Sequence, residues 1–253
     1  MSGEDAAALA NYFAAVDRLE NPAAGITREF VAVDQKNDDY WKKQTEAYVQ
    51  KLGPEKVAAR LKELQPTWEM VVKDQVTSLE RRLALAEAAV QQAKDAESKK
   101  QADDAKANVE KELKAAKEKL DKKDFKDFEE QWKTHDAYAA DGYRVLFTHA
   151  KGVCFTCHVA SGVGAAQAPP LDIAFERLRP DWTRKWLSNP ARMFGYNTVM
   201  PTNFPSNEKT SQDLFDGSPD EQIMAIRDVL MNYPKIAELP ANRFYRLAPA
   251  GGK

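Results

Sequence analysis

The most extended pattern in the chain is a repeat of apolar residues spaced alternately three and four positions apart. It falls within residues 67–141, where there is no glycine or proline and where charges of both signs fill the other positions. The repeat comprises Val76, Leu79, Leu83, Ala86, Val90 and Ala93, and then Ala102, Ala105, Val109, Leu113, Ala116 and Leu120. This spacing predicts long helices that bury one narrow stripe, as in a coiled coil.

A polar segment, residues 95–104, separates the two halves of this repeat. From Ala96 to Gln101 it contributes no residue to the apolar stripe. We expect the chain to turn there and to form an antiparallel hairpin; one long straight helix is the alternative. Such a hairpin can act as a spacer, as a docking arm or as the seam of a homodimer.

The part of the chain before this repeat is divided by prolines and glycines. The first 17 residues predict an amphipathic helix capped by Ser2. Residues 18–35 contain Asn21-Pro22 and are typical of a linker. A helical pattern then resumes and is interrupted at Gly53-Pro54 before it reaches the apolar repeat.

Charge and hydropathy limit the classes of function. The net charge of −2 over 253 residues gives no basis for nucleic acid binding. The sequence contains no run of 18 apolar residues, the length that would predict a membrane span. Membrane attachment would therefore need parts outside this sequence. The N terminus also lacks the basic and apolar segments of a signal peptide.

Both cysteines of the chain lie in one short motif, Cys154-Phe155-Thr156-Cys157-His158. Cys-x-x-Cys-His is the attachment motif of haem c. Two thiols at this spacing can each add to one haem vinyl group, and the next residue can bind the iron through its imidazole. Because haem attachment in bacteria follows export, we expect a periplasmic or otherwise exported location and a chain that is a piece of a longer protein.

A second iron ligand is expected in the glycine- and proline-rich region that follows the motif. Thioether sulfur suits this role, and the favoured residue is Met200, whose backbone is stiffened by Pro201. Met193 is the competing residue. An open sixth position, or a histidine in it, is the remaining possibility.

Three further expectations concern residues around the cofactor. The carbonyl oxygen of Pro169 or Pro170 can accept the second N–H of His158 and thereby orient the imidazole. Trp186 can line the haem edge or pair with a propionate. His149 is expected to be an ordinary surface histidine.

The order of these motifs resembles that of the class I cytochrome c domain over about residues 139–234. The matching pieces are Gly142-Tyr143 with Leu146-Phe147, the cysteine motif, Ala168-Pro169-Pro170-Leu171, Trp186-Leu187 with Asn189-Pro190, Met200-Pro201 and residues 219–233. The resemblance implies thioether bonds through Cys154 and Cys157, iron ligation by His158 and Met200, and one-electron transfer. One departure is the segment before Met200, where the family often has Pro-Gly and this chain has residues 194–199.

We therefore expect an all-α protein in three parts. Residues 1–35 form a helix and linker, similar to the end of an upstream cytochrome c domain, or else pack on the haem domain of this chain. Residues 36–134 form the helical coiled-coil segment, which looks like an insertion. Residues 135–253 form the haem domain with an extended C-terminal tail.

The expected function is electron transfer to redox protein partners by one haem c per chain, without an enzymatic activity of its own, although the protein can be part of a larger redox enzyme. The first alternative is a haem enzyme or gas sensor with an open or labile sixth position. The second is a thiol oxidoreductase that uses the two cysteines. Zinc binding at the motif would require a second pair of ligands.

Overall fold

Helices form almost all of the regular structure in the computed structural model, which describes residues 2–18, 28–193, 198–205, 208 and 210–247. The helices are α1 (Gly3–Arg18), α2 (Asp38–Gln92), α3 (Ala96–Asp121), α4 (Lys126–Gln131), α5 (Ala137–Thr148), α6 (Ala174–Arg177), α7 (Pro180–Ser188), α8 (Pro219–Met231), α9 (Tyr233–Ile236) and α10 (Arg243–Leu247). The strands among the described residues are β1 (Val159–Ala160) and β2 (Val163–Gly164), which pair antiparallel. The prediction of a helical protein is confirmed at the level of fold class.

The chain divides into two compact units. One consists of residues 53–134, and the other combines residues 1–52 with residues 135–253. At Gly53 the backbone of α2 leaves the helical conformation, with φ at 74° and ψ at 165°. A positive φ of this kind is readily adopted by glycine, and Pro54 follows it. None of the described helices is both long enough and apolar enough to span a membrane.

In the unit of residues 53–134, the turn between α2 and α3 lies at residues 93–95. Asp95 caps α3, because its side chain accepts a hydrogen bond from the Ser98 backbone N–H at 2.8 Å while the Ser98 hydroxyl faces the Asp95 backbone N–H. This reciprocal cap allows α3 to begin at once. The residues that follow are therefore helical, and the turn overlaps the segment in which the sequence predicts it, residues 95–104, only at Asp95.

Helices α2 and α3 run in opposite directions and share a small buried stripe. Its buried members are Leu79, Val109, Leu113 and Ala116, with Val76 and Leu83 packed against them. Salt bridges with antiparallel order flank it: Glu80 with Lys117, Arg82 with Glu112, and Glu87 with Lys106. These ion pairs are exposed and contribute little, so the stripe provides most of the adhesion between the two helices.

The unit that contains residues 135–253 is built on the packing of α5 against α8. A Cβ atom at Gly142 would lie 3.2 Å from Val229 Cγ2 and 3.3 Å from the Ala225 carbonyl oxygen. The two helices therefore touch where α5 has no side chain. Residues on both sides of this contact, including Leu146 and Ile226, are buried.

Helix α8 also holds residues 28–34, the end of the predicted linker. The Arg227 guanidinium is fully buried, is paired with Asp228, and donates to the backbone carbonyl of Arg28 at 3.0 Å. The backbone N–H of Val33 donates to the Asn232 side chain at 2.7 Å. Side chains of α8 and of its C-terminal cap thus form hydrogen bonds with the backbone of this segment. The other part of the predicted linker, residues 19–27 with Asn21-Pro22, lies outside the described residues.

The N-terminal helix α1 begins as the sequence predicts, with the Ser2 hydroxyl accepting from the Asp5 backbone N–H at 3.1 Å. The Tyr12 hydroxyl donates to the backbone carbonyl of Met193 at 3.0 Å. Helix α1 therefore contacts the same unit as the cysteine motif. This contact fits the second of the two possibilities considered for α1, packing on the domain of this chain.

The C-terminal region differs from the extended tail expected after residue 234. Residues 233–236 and 243–247 are helical, and a tight 3-10 turn, Pro240–Asn242, precedes α10. Pro234 and Pro240 stand near the first position of a helical turn, where proline is tolerated because the N–H that it lacks has no partner there. Ile236 and Ala241 are buried, which holds these turns on the domain. Residues 248–253 lie outside the described part.

Leu79→Ala should lower the free energy of unfolding by about 2–4 kcal/mol, because it removes the best-buried leucine of the α2–α3 stripe. Leu85→Ala, on the same helix, is the matched control. Leu79 is 3% exposed whereas Leu85 is 71% exposed. Denaturant unfolding followed by far-ultraviolet circular dichroism measures both, and equal losses in the two variants would contradict the observed pairing.

Candidate functional site

A tight turn after α5 delivers the cysteine motif. Ala150, Lys151 and Gly152 have φ values of 45°, 61° and 80°, and the motif then continues through a 3-10 turn, Val153–Thr156. The hairpin of β1 and β2 follows directly. Its Gly164 has no room for a side chain, since a Cβ atom would lie 2.1 Å from the His158 carbonyl oxygen. The backbone around the motif is therefore tightly constrained.

The His158 ring is oriented by a backbone carbonyl. Its Nδ1 lies 2.6 Å from the carbonyl oxygen of Pro169. A carbonyl can only accept, so Nδ1 carries the proton and Nε2 keeps a free lone pair. The proline loop is itself attached to the motif, because the Ala168 backbone N–H donates to the Cys157 carbonyl at 2.8 Å. Of the two prolines considered from the sequence, Pro169 makes this contact, and Pro170 follows it in the same loop.

Met200 receives a hydrogen bond from a tryptophan. The indole N–H of Trp186 donates to the Met200 sulfur at 2.8 Å. The Trp186 ring stacks on Trp182, one turn earlier on α7, with ring centres 5.2 Å apart. The sequence predicts Trp186 at the haem edge or beside a propionate. It does not indicate the contact with the Met200 thioether.

The motif and Met200 line one apolar cavity of about 240 Å³. Its inner wall is formed by Leu146, Ile226 and Leu230, from α5 and α8. The remaining lining residues are Val153, Cys154, Thr156, Cys157, His158, Ala168, Leu171, Leu187, Val199, Met200, Pro201, Asn203 and Phe204. Met193, the competing methionine, is buried and does not belong to this lining.

These residues fit a covalently attached haem. Both cysteines are free thiols, as addition to vinyl groups requires. An imidazole with a free Nε2 and a thioether sulfur line the same cavity, and the other walls are mainly apolar. This is the donor set of a c-type haem with histidine and methionine ligands. Within the described part of the chain, no group of three His, Cys, Asp or Glu side chains is placed to hold a metal ion.

The two thiols differ in environment. Burial raises the pKa of Cys154 to about 11, whereas Cys157 is exposed. The thiolate is the reactive form of cysteine. Cys154 is therefore a protonated and weakly nucleophilic thiol near neutral pH.

His149 is buried, and the expectation of a surface histidine is wrong. Its ring is 5% exposed, stacks on Phe204 and lies 2.6 Å from the Ser211 hydroxyl. The tight turn after α5 directs the ring inward, and this depends on contacts that are remote in sequence. The apolar wall was also missed, although the spacing of Ile226 and Leu230 on one helical face could have indicated it.

A second cavity, of about 510 Å³, lies beside the first part of α2. Three of its charged side chains take part in ion pairs. Arg28 binds Asp228, which lies outside the lining, and Lys51 binds Glu221 at 2.7 Å. Its polar groups therefore offer no donor set comparable with that of the motif.

The segment before Met200 in which the sequence departs from the cytochrome c pattern falls mostly at residues 194–197, which lie outside the described residues.

Comparison with protein families, with curated proteins and with solved structures finds no match for this chain. The function is therefore inferred from the residues of the site.

In the haem-free protein, iodoacetamide should alkylate Cys157 well before Cys154. At pH 8 a thiol with a pKa of about 11 is ionised in about one molecule in a thousand. Peptide mass spectrometry after short exposures measures the two rates, with the denatured protein as control, in which the rates should converge. Faster labelling of Cys154 in the folded protein would contradict the described burial.

Proposed function

We propose that this protein is a one-electron carrier that holds a single haem c through Cys154 and Cys157, with His158 and Met200 as the iron ligands. The observation that carries the proposal is the hydrogen bond from His158 Nδ1 to the Pro169 carbonyl, 2.6 Å long. It leaves Nε2 available beside an apolar cavity that both cysteines and a thioether also line. When bound, the haem supplies an iron centre that accepts and releases one electron.

The Pro169 carbonyl fixes the tautomer of His158 and the orientation of its ring. A histidine without such an acceptor could rotate and could carry its proton on either nitrogen. Pro169 is well placed to be that acceptor because its loop is attached to the motif through the Cys157 carbonyl. The motif thus positions both the ligand and the group that orients it.

Met200 and Trp186 favour the reduced state. Methionine ligation raises the reduction potential of a haem. In a haem-loaded protein, the hydrogen bond from the Trp186 N–H would draw electron density from the Met200 sulfur and so make it a weaker donor to the iron. The apolar wall of Leu146, Ile226 and Leu230 excludes water and acts in the same direction, because a low dielectric disfavours added charge.

The alternative functions have less support. A haem enzyme or gas sensor needs an open or labile sixth position, and Met200 lines the cavity where such a position would be. Tight carbon monoxide binding without loss of a ligand would favour that alternative. A thiol oxidoreductase needs a thiol with a lowered pKa, whereas burial raises the pKa of Cys154.

We further propose an exported, periplasmic-type location and redox proteins as partners, because covalent haem attachment follows export. The stripe of the α2–α3 hairpin is buried within one chain. This favours a spacer or docking arm over a homodimer seam as the role of the hairpin.

Met200→Ala should abolish the methionine-to-iron charge-transfer band of the oxidised protein and lower the reduction potential. The wild-type protein should show the spectrum of a six-coordinate, low-spin haem c when reduced. Met193→Ala is the matched control, since Met193 is buried outside the cavity lining. Loss of the band in Met193→Ala, with retention in Met200→Ala, would overturn the ligand assignment.

Trp186→Phe should lower the reduction potential while leaving the charge-transfer band in place, because it removes the N–H donor but keeps an aromatic ring beside Trp182. The shift should correspond to at most about 1 kcal/mol, the net strength of one ordinary hydrogen bond. Spectroelectrochemical titration measures it. Trp182→Phe retains the indole that contacts the sulfur and should leave the potential close to that of the wild type; an equal shift in both variants would refute the role of this hydrogen bond.

A further inference from the structure

We propose that His149 is a positioning residue that holds the loop bearing Met200 in place and thereby limits how readily the methionine leaves the iron. The inference rests on the proposed function, since it requires Met200 to be a ligand. It assigns a role to a histidine that is neither an iron ligand nor part of the cavity lining.

The first contact is a ring stack at the end of the Met200 loop. The His149 ring lies 4.4 Å from the Phe204 ring, with 29° between the ring planes. Phe204 is 3% exposed and lines the same cavity as Met200, four residues earlier in the chain. A shift of the His149 ring would therefore remove a packing contact between this loop and the rest of the domain.

The second contact is a hydrogen bond at the edge of the same ring. Nδ1 of His149 lies 2.6 Å from the Ser211 hydroxyl oxygen. Ser211 adopts a left-handed backbone conformation with φ at 49°, and its carbonyl accepts from the Phe215 backbone N–H at 3.0 Å. His149 thus connects the end of the Met200 loop to the turn that leads into α8.

The backbone of His149 is itself held rigidly. Its carbonyl accepts from the Gly152 N–H at 2.9 Å, and the residues between, Ala150 and Lys151, both have positive φ. Non-glycine residues in this conformation are strained and persist only where the surroundings enforce them. This is also the turn that delivers Cys154, so one turn links the attachment motif to the loop of the sixth ligand.

The ring acts as a neutral group. Burial lowers the pKa of His149 from its ordinary value of 6.5. At neutral pH the imidazole can therefore stack on Phe204 and bond to Ser211 without placing a charge among apolar side chains.

The test measures how well an external ligand displaces Met200. Imidazole is titrated into the oxidised, haem-loaded protein while the methionine-to-iron charge-transfer band is followed. The variants are His149→Phe, which keeps a ring against Phe204 but loses the bond to Ser211, Ser211→Ala, and the double variant. His135→Gln, at the other non-ligand histidine, is the matched control.

Ser211→Ala should bind imidazole about fivefold more tightly, the effect of losing one hydrogen bond of ordinary net strength. His149→Phe should gain at least as much, because it also removes the hydrogen bond between the ring and the Asn203 backbone. The double variant should gain no more than His149→Phe alone, because that substitution already removes the bond to Ser211. Haem content should stay at the wild-type level. If His149→Phe does not accumulate, Ser211→Ala carries the same test with a smaller change.

Unchanged imidazole affinity in Ser211→Ala and His149→Phe, or an equal gain in His135→Gln, would overturn the role of His149 while leaving the proposed function intact. A wild-type protein that has covalent haem but lacks the charge-transfer band would instead refute Met200 as a ligand. In that case this inference fails with it. The two failures are thus distinguished by the wild-type spectrum.

Discussion

The contact between α5 and α8 at Gly142 is the constraint on which the rest of the site depends. A Cβ atom at Gly142 would lie only 3.2 Å from Val229 Cγ2, so even alanine there would require neighbouring atoms to shift by a few tenths of an ångström. The close approach of the two helices brings Leu146 and Ile226 together as the inner wall of the cavity. Helix α5 ends at Thr148, and the turn through His149 then presents the cysteine motif.

Polar groups reinforce the same pair of helices. Asp228 on α8 accepts from the Tyr138 hydroxyl on α5 at 2.8 Å and is paired with Arg28 and Arg227. Buried charges are costly unless they are paired and hydrogen-bonded, and removal of one partner leaves the others uncompensated. This network therefore fixes residues 28–34 against α8 and makes the segment before the hairpin part of the unit that carries the site.

The sequence revealed those features that short-range spacing encodes. The motif at Cys154–His158, the Met200-Pro201 pair and the stripe around Leu79 could all be read from the order of residues. The burial of His149 and the contact of Trp186 with Met200 could not, because both depend on residues brought together from distant positions. The sequence predicts an extended tail after residue 234, whereas helical turns form there with Pro234 and Pro240 near their first positions.

We propose that one haem is bound covalently at Cys154 and Cys157, and the other inferences about the site require it. The most direct measurement is the haem content of the purified protein, expressed with a haem c maturation system and then extracted with acidified acetone. We expect one haem per chain to remain on the protein and to give a low-spin c-type spectrum. A folded protein that carries no haem, or that releases all of it into the acetone, would contradict covalent attachment.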